Sequence, residues 1–386
     1  MAEAFKNLIN ADVARQMGRH LTRVWPEFDR KRFERLAITG LNELAFKARA
    51  RHLSTALSHT LPSSFPKAAD VLQASLKVVP QPRHTHDPDK ELGLLSTDDT
   101  GLAGWALWGF GEYVATHGMA HPERALKALH AITQRFTAEF AIRPFIVQHQ
   151  DLTLATLAKW SDDPSAHVRR LVSEGSRPRL PWGLRLQSLV LDPTPTLPLL
   201  LKLQDDPSEY VRRSVANHLN DIAKDHPHLV ADWVNTHLPD ASEARRKLLR
   251  HACRSLIKQG HEPTMTAWGL GAAFEGQVTL KLGAKKVAVG GVLPIQVTLT
   301  STGKAPQSLE LDYRVHHLKA NGQTSPKTFK GKRIVLAPGE SWHWHKLHSF
   351  KPVTTRKLYP GPHLIDIHLN GRSVAEAAFV LLAETA

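Results

Sequence analysis

The chain has 386 residues, with 50 Lys and Arg against 36 Asp and Glu and a formal net charge of +14 when histidine is neutral. The length admits more than one domain and a sizeable core, and the positive excess points to polyanionic partners, nucleic acid first and anionic membrane second. The single cysteine, Cys253, excludes an intramolecular disulfide and fits a reducing compartment.

The first residues, "MAEAFKNLINADVARQMGRHL", are amphipathic and lack an apolar signal core. No apolar run is long enough to span a bilayer, so a soluble, cytoplasmic protein without membrane association is expected. Apolar residues recur at three- and four-residue spacing as far as about residue 265, which predicts helices. Asp-Pro and Ser-Pro steps are read as helix starts, with Pro in the first turn and Asp as its cap. The segment "PQPRHTHDPDKELG", residues 80–93, interrupts this pattern. Its His84 and His86 raise the question of a metal, and a solvated loop is the expectation.

The helical part repeats. "DDPSAHVRRLVSE" (162–174) matches "DDPSEYVRRSVAN" (205–217) almost residue for residue, and "DASEARRKLLRHACRSL" (240–256) is a weaker copy. Units this short bury an apolar stripe only by stacking, so the repeat predicts a solenoid similar to HEAT-like repeats. At 100° per residue, Val211, Val215, Leu219 and Ile222 share one face, and Arg213, Asn217, Asn220, Asp221 and Lys224 fall on another. The same register pairs Arg170 with Glu174, Arg135 with Glu139 in "QRFTAE", and Lys247 with His251. Stacking predicts a basic ladder of Arg135, Arg170, Arg213 and Lys247, with Glu139, Glu174, Asn217 and His251 beside it. The alternative for each pair is an ordinary surface ion pair one turn long, worth about 0.2–0.5 kcal/mol.

The stretch "HVRRLVSEGSRPRLPWG" (167–183) sets Arg169, Arg170, Arg177 and Arg179 around Glu174, with Trp182 just beyond. Regularly spaced cations suit the regular phosphates of a duplex without reading its sequence. Trp182, between Pro181 and Gly183, either packs into a core or offers its ring to a positively charged base. Glu139, Glu174 and Asp221 would repel a polyanion and have no place in a simple binding surface. They suit cleavage of an N-glycosidic bond, where a fixed carboxylate stabilises an oxocarbenium-like sugar and orients the attacking water.

From about residue 275 the period becomes two. "QVTLKL", "LPIQVTLTS", "SLELDYRV", "KRIVLAPG" and "HLIDIHLNG" alternate between Gly, Pro and Asn turns, which predicts an antiparallel β-sandwich of about 110 residues. The expected organisation is multidomain: an all-α solenoid over 1–265 and an all-β sandwich over 275–386. In "SWHWHKLHSF", strand alternation puts Trp342 and Trp344 on one face and His343 and His345 on the other. Exposed histidines over a tryptophan-backed core are expected there rather than a zinc site. The Lys-rich "YRVHHLKANGQTSPKTFKGKR" fits a backbone-holding arm or a plain solvated hairpin.

The segments "AFKNLIN", "ITQRFTAEFAIRPF" (132–145), "DDPSAHVRRLVSEGSRPRLPWG" (162–183) and "DDPSEYVRRSVANHLNDIAKDHP" (205–227) resemble the AlkC branch of HEAT-like DNA glycosylases, in the AlkC/AlkD superfamily of bacterial alkylation repair. The likeness covers most of the helical part. It implies excision of N3-methylated bases, chiefly 3-methyladenine and 3-methylcytosine, from double-stranded DNA without base flipping, by a monofunctional glycosylase. It implies no cofactor and no metal, and a monomer is expected. The nucleoid is where such a protein is expected when bound to DNA. Carried over residue by residue, Glu139, Glu174, Trp182 and Asp221 match the family's active-site positions, and Arg170, Arg177 and Arg213 match DNA-contacting ones. Arg135, Arg169, Arg179 and Lys247 complete the expected DNA-binding set from the ladder and the arginine-rich loop. The β-rich tail resembles the immunoglobulin-like domain that some members carry. The competing readings are a non-enzymatic HEAT scaffold binding nucleic acid or protein, and an RNA-binding module.

Overall fold

The computed structural model describes residues 5–79, 95–354 and 356–384. The 80–93 loop with His84 and His86 lies outside the described residues. Helices follow one another up to Ala267 and strands run from Gly276 to Leu382, so the change of period in the sequence is the change of architecture.

The helices in chain order are α1 (Ala11–Val24), α2 (Arg30–Ile38), α3 (Phe46–Ser58), α4 (Phe65–Ala74), α5 (Ala106–His117), α6 (Pro122–Thr133), α7 (Arg143–Gln148) and α8 (Gln150–Trp160). They continue as α9 (Ala166–Gly175), α10 (Gln187–Leu191), α11 (Leu197–Leu203), α12 (Glu209–Ile222), α13 (Pro227–His237), α14 (Glu243–Ala252), α15 (Arg254–Gln259) and α16 (Glu262–Ala267). In α1 the Asn10 side chain accepts from the amides of Asp12 and Val13, and Ala14, Met17 and Leu21 are buried along one stripe.

The repeat is built differently at its start than the sequence implies. Pro164 and Pro207 lie ahead of α9 and α12 rather than in their first turns. The carboxylates of Asp163 and Asp206 accept the amides of Ser165 (2.8 Å) and Ser208 (2.9 Å), closing an Asx turn that launches each helix. Proline in the first helical turn does occur, at Pro66, Pro122, Pro144, Pro198, Pro227 and Pro263, but in these helices it does not follow Asp or Ser. The first arginine of each "VRR" is spent on this framework. Arg169 donates to the carbonyls of Asp163 and Pro164 and makes a two-pronged pair with Asp206 at 2.6 and 3.0 Å. Arg212, its counterpart, donates to the carbonyls of Asp206 and Pro207. Val168, Leu171 and Val172 of α9 and Val211, Val215, Leu219 and Ile222 of α12 are buried. α12 packs against α9 on one side and α14 on the other.

By compactness the chain divides into residues 1–225 with 241–252, and residues 226–240 with 253–386. The second unit thus takes α13, α15 and α16 together with the strands. Its strands are β1 (Gly276–Leu282), β2 (Lys286–Ala288), β3 (Val292–Ser301), β4 (Gln307–Leu318), β5 (Thr324–Leu336), β6 (Ser341–Ser349), β7 (Gly361–Leu369) and β8 (Arg372–Leu382). One sheet has the order β1-β3-β6, the other β2-β8-β7-β4-β5, and all pairings are antiparallel except β2 with β8. Alternate residues Leu293, Ile295, Val297 and Leu299 of β3 meet Leu311, Tyr313 and Val315 of β4 and Ile365 and Ile367 of β7 in a shared core. Trp342 and Trp344 are partly buried against that core, while His343 and His345 are exposed on the opposite face of β6, as strand alternation predicts.

Candidate functional site

The site is assembled by α9, α12 and the loop segments that precede α7 and follow α9. Glu174 is in the last turn of α9, and its packing against α12 brings it to Ser214, whose hydroxyl donates to Oε2 at 2.6 Å. The loop after α9 turns Arg177 back between the two helices. Its guanidinium donates to Glu174 Oε1 at 2.6 Å and to Asp221 Oδ2 at 2.8 Å. Asp221 receives Lys224 Nζ on Oδ1 at 2.8 Å. Arg170, one turn before Glu174, lies 3.6 Å from Glu174 Oε1 and pairs with Glu139 Oε2 at 2.7 Å. Thr137 donates its hydroxyl to the same Glu139 oxygen at 2.8 Å. Three carboxylates, Glu139, Glu174 and Asp221, are thereby interleaved with three cations, Arg170, Arg177 and Lys224.

The cluster is desolvated. Glu174, Arg177 and Asp221 are all buried, Asp221 to 1 % exposure. Burial alone would push the Glu174 carboxyl up. The Arg170 and Arg177 guanidinium groups and the Ser214 hydroxyl outweigh it and hold Glu174 below the ordinary value, so it stays ionised. The Arg170 guanidinium also lies over the Tyr210 ring, 5.1 Å from its centroid. Burial first, with the nearby Glu139 and Glu174 charges adding to it, pushes the Tyr210 hydroxyl up to about 12 despite the opposing guanidinium. His218 is buried neutral, its pKa pushed down to about 4 by desolvation, between Ser173 O (2.9 Å) and Thr196 Oγ1 (3.4 Å). It holds α12 to α9 and takes no part in the acid cluster.

The chemical consequence is an asymmetry among the acids. Both oxygens of Glu174 and both of Asp221 have donors, whereas Glu139 Oε1 has none among the described residues. A carboxylate oxygen with a spare lone pair, fixed through its twin by Arg170 and Thr137, is equipped to accept a hydrogen bond from water. Glu174 and Asp221 present fixed negative charge.

Two span comparisons bear on this arrangement. Residues 135–256 match the family described as "DNA alkylation repair enzyme", and residues 277–383 match the C-terminal Ig-like domain of the family named for the uncharacterised protein YhaZ. YhaZ of Bacillus subtilis (strain 168) is 37% identical over 372 residues, 95% of this chain and 96% of its own. The chain belongs to the AlkC/YhaZ-like family of DNA alkylation repair enzymes. Among solved structures, the Pseudomonas fluorescens alkylpurine DNA glycosylase AlkC, bound to DNA containing an abasic site analog, superposes with a TM-score of 0.87. It is 35% identical, and the match covers 98% of this chain and 99% of that one. The second domain is therefore Ig-like, in line with the sandwich above.

The span shared with the alkylation repair family contains every member of the acid cluster. The AlkC-like fold redistributes the other expected residues. Arg135 and Glu139 are not a helical pair, because α6 ends at Thr133 and the chain turns before α7. Arg135 instead donates to the carbonyls of Lys77 and Ala131. Arg169 is stapled to Asp206, and Arg179 to Asp225 by two bonds of 2.6 Å. Arg213 and Lys247 are exposed and, among the described residues, pair only with Glu209 (3.3 Å) and Glu243 (2.6 Å) one turn earlier. Of the expected ladder, Arg170 alone joins the acids. Backbone carbonyls hold Arg135 and Arg169, and Asp206 and Asp225 hold Arg169 and Arg179, because a guanidinium offers five donors in a fixed fork. Asn220 and Asp221, assigned by the 100° count to the polar face, are buried, which takes Asp221 off the surface and into the acid cluster.

Trp182 resolves the other way. It is 74% exposed, so it is not core, and it has φ +62, a left-handed conformation that bulky residues rarely adopt. Leu184 (52% exposed) and Arg185 lie just after it at the surface. Arg185 has no ion-pair partner among the described residues and is a phosphate-contacting candidate that the repeat register does not reach. Tyr210, Ser214 and Arg143 also escaped the sequence reading. Tyr210 aligns with His167 in the repeat, and that difference was its only signal. Among the described residues no group of three or more His, Cys, Asp or Glu is placed to hold a metal, and no helix is long and apolar enough to cross a membrane.

Proposed function

We propose that this chain is a monofunctional DNA glycosylase that hydrolyses the N-glycosidic bond of cationic N3-methylated bases, 3-methyladenine and 3-methylcytosine, in double-stranded DNA. The observation that carries the reading is the acid cluster itself: buried Glu174 and Asp221 and half-buried Glu139, interleaved with cations in a basic chain, with Glu139 keeping an oxygen for water. Glu139 orients and deprotonates the nucleophile. Glu174 and Asp221 face the positive charge that grows on the sugar, a charge best met by groups already fixed before the reaction. Arg170, Arg177 and Lys224 keep these acids in place. Trp182 lies against the lesion, where its ring face favours a cation. The base already carries positive charge and leaves without a general acid, and the site requires no metal or other cofactor. Arg185 holds phosphate, as do Arg213 and Lys247, which exchange weak surface pairs for the duplex. The protein works as a monomer and need not flip the base, since the acids are offered from helix ends and a loop rather than from a closed pocket. The likeness to AlkC, solved on DNA with an abasic site analog, supports DNA as the ligand.

The saturation of Glu174 and Asp221 by cations is the one observation favouring a non-enzymatic scaffold. The test is release of free methylated bases from methylated duplex DNA by the purified protein, with uracil-containing duplex as control. Base release above the spontaneous rate supports hydrolysis, and DNA binding without release supports the scaffold.

A further inference from the structure

Arg143 has no role in the reading above, yet it is the most completely buried cation near the acids, with no measurable exposure. It breaks two local rules. It opens the six-residue helix α7, where a positive charge opposes the helix dipole, and it has no carboxylate within ion-pair distance among the described residues. Its NH2 group is buried without a hydrogen-bond partner there. Desolvation, reinforced by the neighbouring Arg177 charge, lowers its pKa to about 10. A side chain kept only for stability would be apolar at such a position.

What Arg143 does hold is backbone. NH1 donates to Gly175 O at 2.9 Å, a carbonyl at the C-terminal end of α9. Nε donates to Leu184 O. These two carbonyls bracket residues 176–183, the loop that carries Arg177, Arg179 and Trp182. Glycines flank both contacts, and a side chain at either would crowd its surroundings. A Cβ on Gly175 would come within 2.6 Å of Ile142 Cγ2, and one on Gly183 would meet Leu180 Cδ2 at 3.0 Å and Arg143 Nε at 3.2 Å. Lys47 adds an outside tether, its Nζ donating to Trp182 O at 3.1 Å. The loop also closes on itself through Gly183 N to Leu180 O (3.1 Å) and Leu186 N to Pro178 O (3.2 Å). Trp182 is thus exposed and in an unfavourable backbone conformation while the chain on both sides of it is clamped.

We propose that Arg143 is the positioning residue of the Trp182 loop: one buried guanidinium fixes both ends of the loop, so that Arg177 reaches Glu174 and Asp221 from one side while the indole is held rigidly toward the DNA from the other. The inference rests on the glycosylase reading only for the part Trp182 plays in catalysis. The clamp itself is a statement about the backbone. The orphaned NH2 and the desolvated charge are the cost of a fork that joins two carbonyls from different segments, a geometry lysine does not reproduce.

The test uses the full chain with Arg143→Lys and Gly183→Ala, the second leaving the charge in place and pressing on it with one methyl. Amide hydrogen exchange is followed at Gly183 and Leu186, and single-turnover base release is measured with and without Trp182→Ala. The expected result is exchange at least about tenfold faster at those two amides, with the remaining helices unchanged. Base release falls about tenfold in either variant and by clearly less than that when Trp182→Ala is already present, because the changes share one device while the hold on Arg177 is still lost. Unchanged exchange at Gly183 and Leu186 in Gly183→Ala overturns the proposal, as does acceleration spread evenly over all helices. Fully additive rate losses also overturn it. If Trp182→Ala alone releases bases at the wild-type rate, it is the catalytic assignment of Trp182 that fails, and the exchange data alone decide the clamp. Should Arg143→Lys not fold, Gly183→Ala carries the same comparison.

Discussion

Replacing Glu174 by glutamine removes one charge and little else. The amide oxygen can still accept from Ser214 Oγ, 2.6 Å away in the native protein, while the amide nitrogen cannot accept from Arg177. Arg177 keeps Asp221 and Arg170 keeps Glu139, so no cation is left wholly unpaired. The stability cost should therefore fall below the roughly 3–5 kcal/mol typical of orphaning a buried charge. Catalysis is more exposed to the change. A carboxylate about 6 Å from a unit positive charge, at an effective dielectric constant of about 20, contributes roughly 3 kcal/mol, which is about a hundredfold in rate. DNA affinity should hold or rise, because the lost charge repels phosphate. The assay is single-turnover release of labelled 3-methyladenine, beside Kd for an abasic-analogue duplex and a thermal melt. The native pH dependence gives a second handle. Because the folded Glu174 value lies below the ordinary 4.5, its carboxylate persists, and its stabilising effect is present, above 4.5 and is lost only as pH falls through the lowered value. A folded Glu174→Gln protein that releases base within about threefold of wild type would refute the charge-stabilisation argument.

Substrate choice should follow leaving-group charge: 3-methyladenine and 3-methylcytosine are released faster than spontaneously, uracil and hypoxanthine are not, and efficient uracil release in the same single-turnover assay contradicts the absence of a general acid. The basic residues should separate into two classes. Arg213→Ala and Lys247→Ala each reduce the salt slope of DNA binding by about one with an unchanged melting temperature, whereas Arg169→Ala, which breaks the fork to Asp206, lowers the melting temperature and leaves the slope alone. The Ig-like domain should be acid-sensitive. Desolvation, joined by nearby cationic side chains, holds buried His348 at about 4 and His317 at about 3 against the ordinary 6.5. The unfolded chain therefore takes up protons first, and stability declines as pH drops from 6.5 toward those values, by up to about 1.4 kcal/mol per pH unit for each histidine. Denaturant titrations at pH 7.5 and 5 should differ accordingly, and the difference should shrink in His348→Gln.

The local patterns carried a great deal. The three- and four-residue period and the alternation after residue 275 determine where helices end and strands begin, because one-sided burial imposes those periods on any chain that folds this way. The matching "DDPS…VRR" segments place Arg170 with Glu174 on α9, and the helical count on the second copy sets Asp221 one turn past Asn217 on α12, so three of the eventual cluster residues were visible from the repeat and its helical register. The "QRFTAE" pair and the arginine-rich stretch 167–183 supplied Glu139 and Trp182, and the family-like motifs matched both to active-site positions. Tertiary structure alone decided which arginines were already committed: Arg135, Arg169 and Arg179 look like Arg170 in sequence but meet carbonyls and aspartates from other segments. It alone buried Asp221 and exposed Trp182, reversing the environment that a helical wheel or residue hydrophobicity assigns to each. It alone brought Arg143 beneath a loop whose anchor points lie 32 and 41 residues further along the chain. The physical reason is that periodicity encodes which side of an element is buried, whereas the partner of a polar group is fixed by distances between elements. No local spacing records those distances.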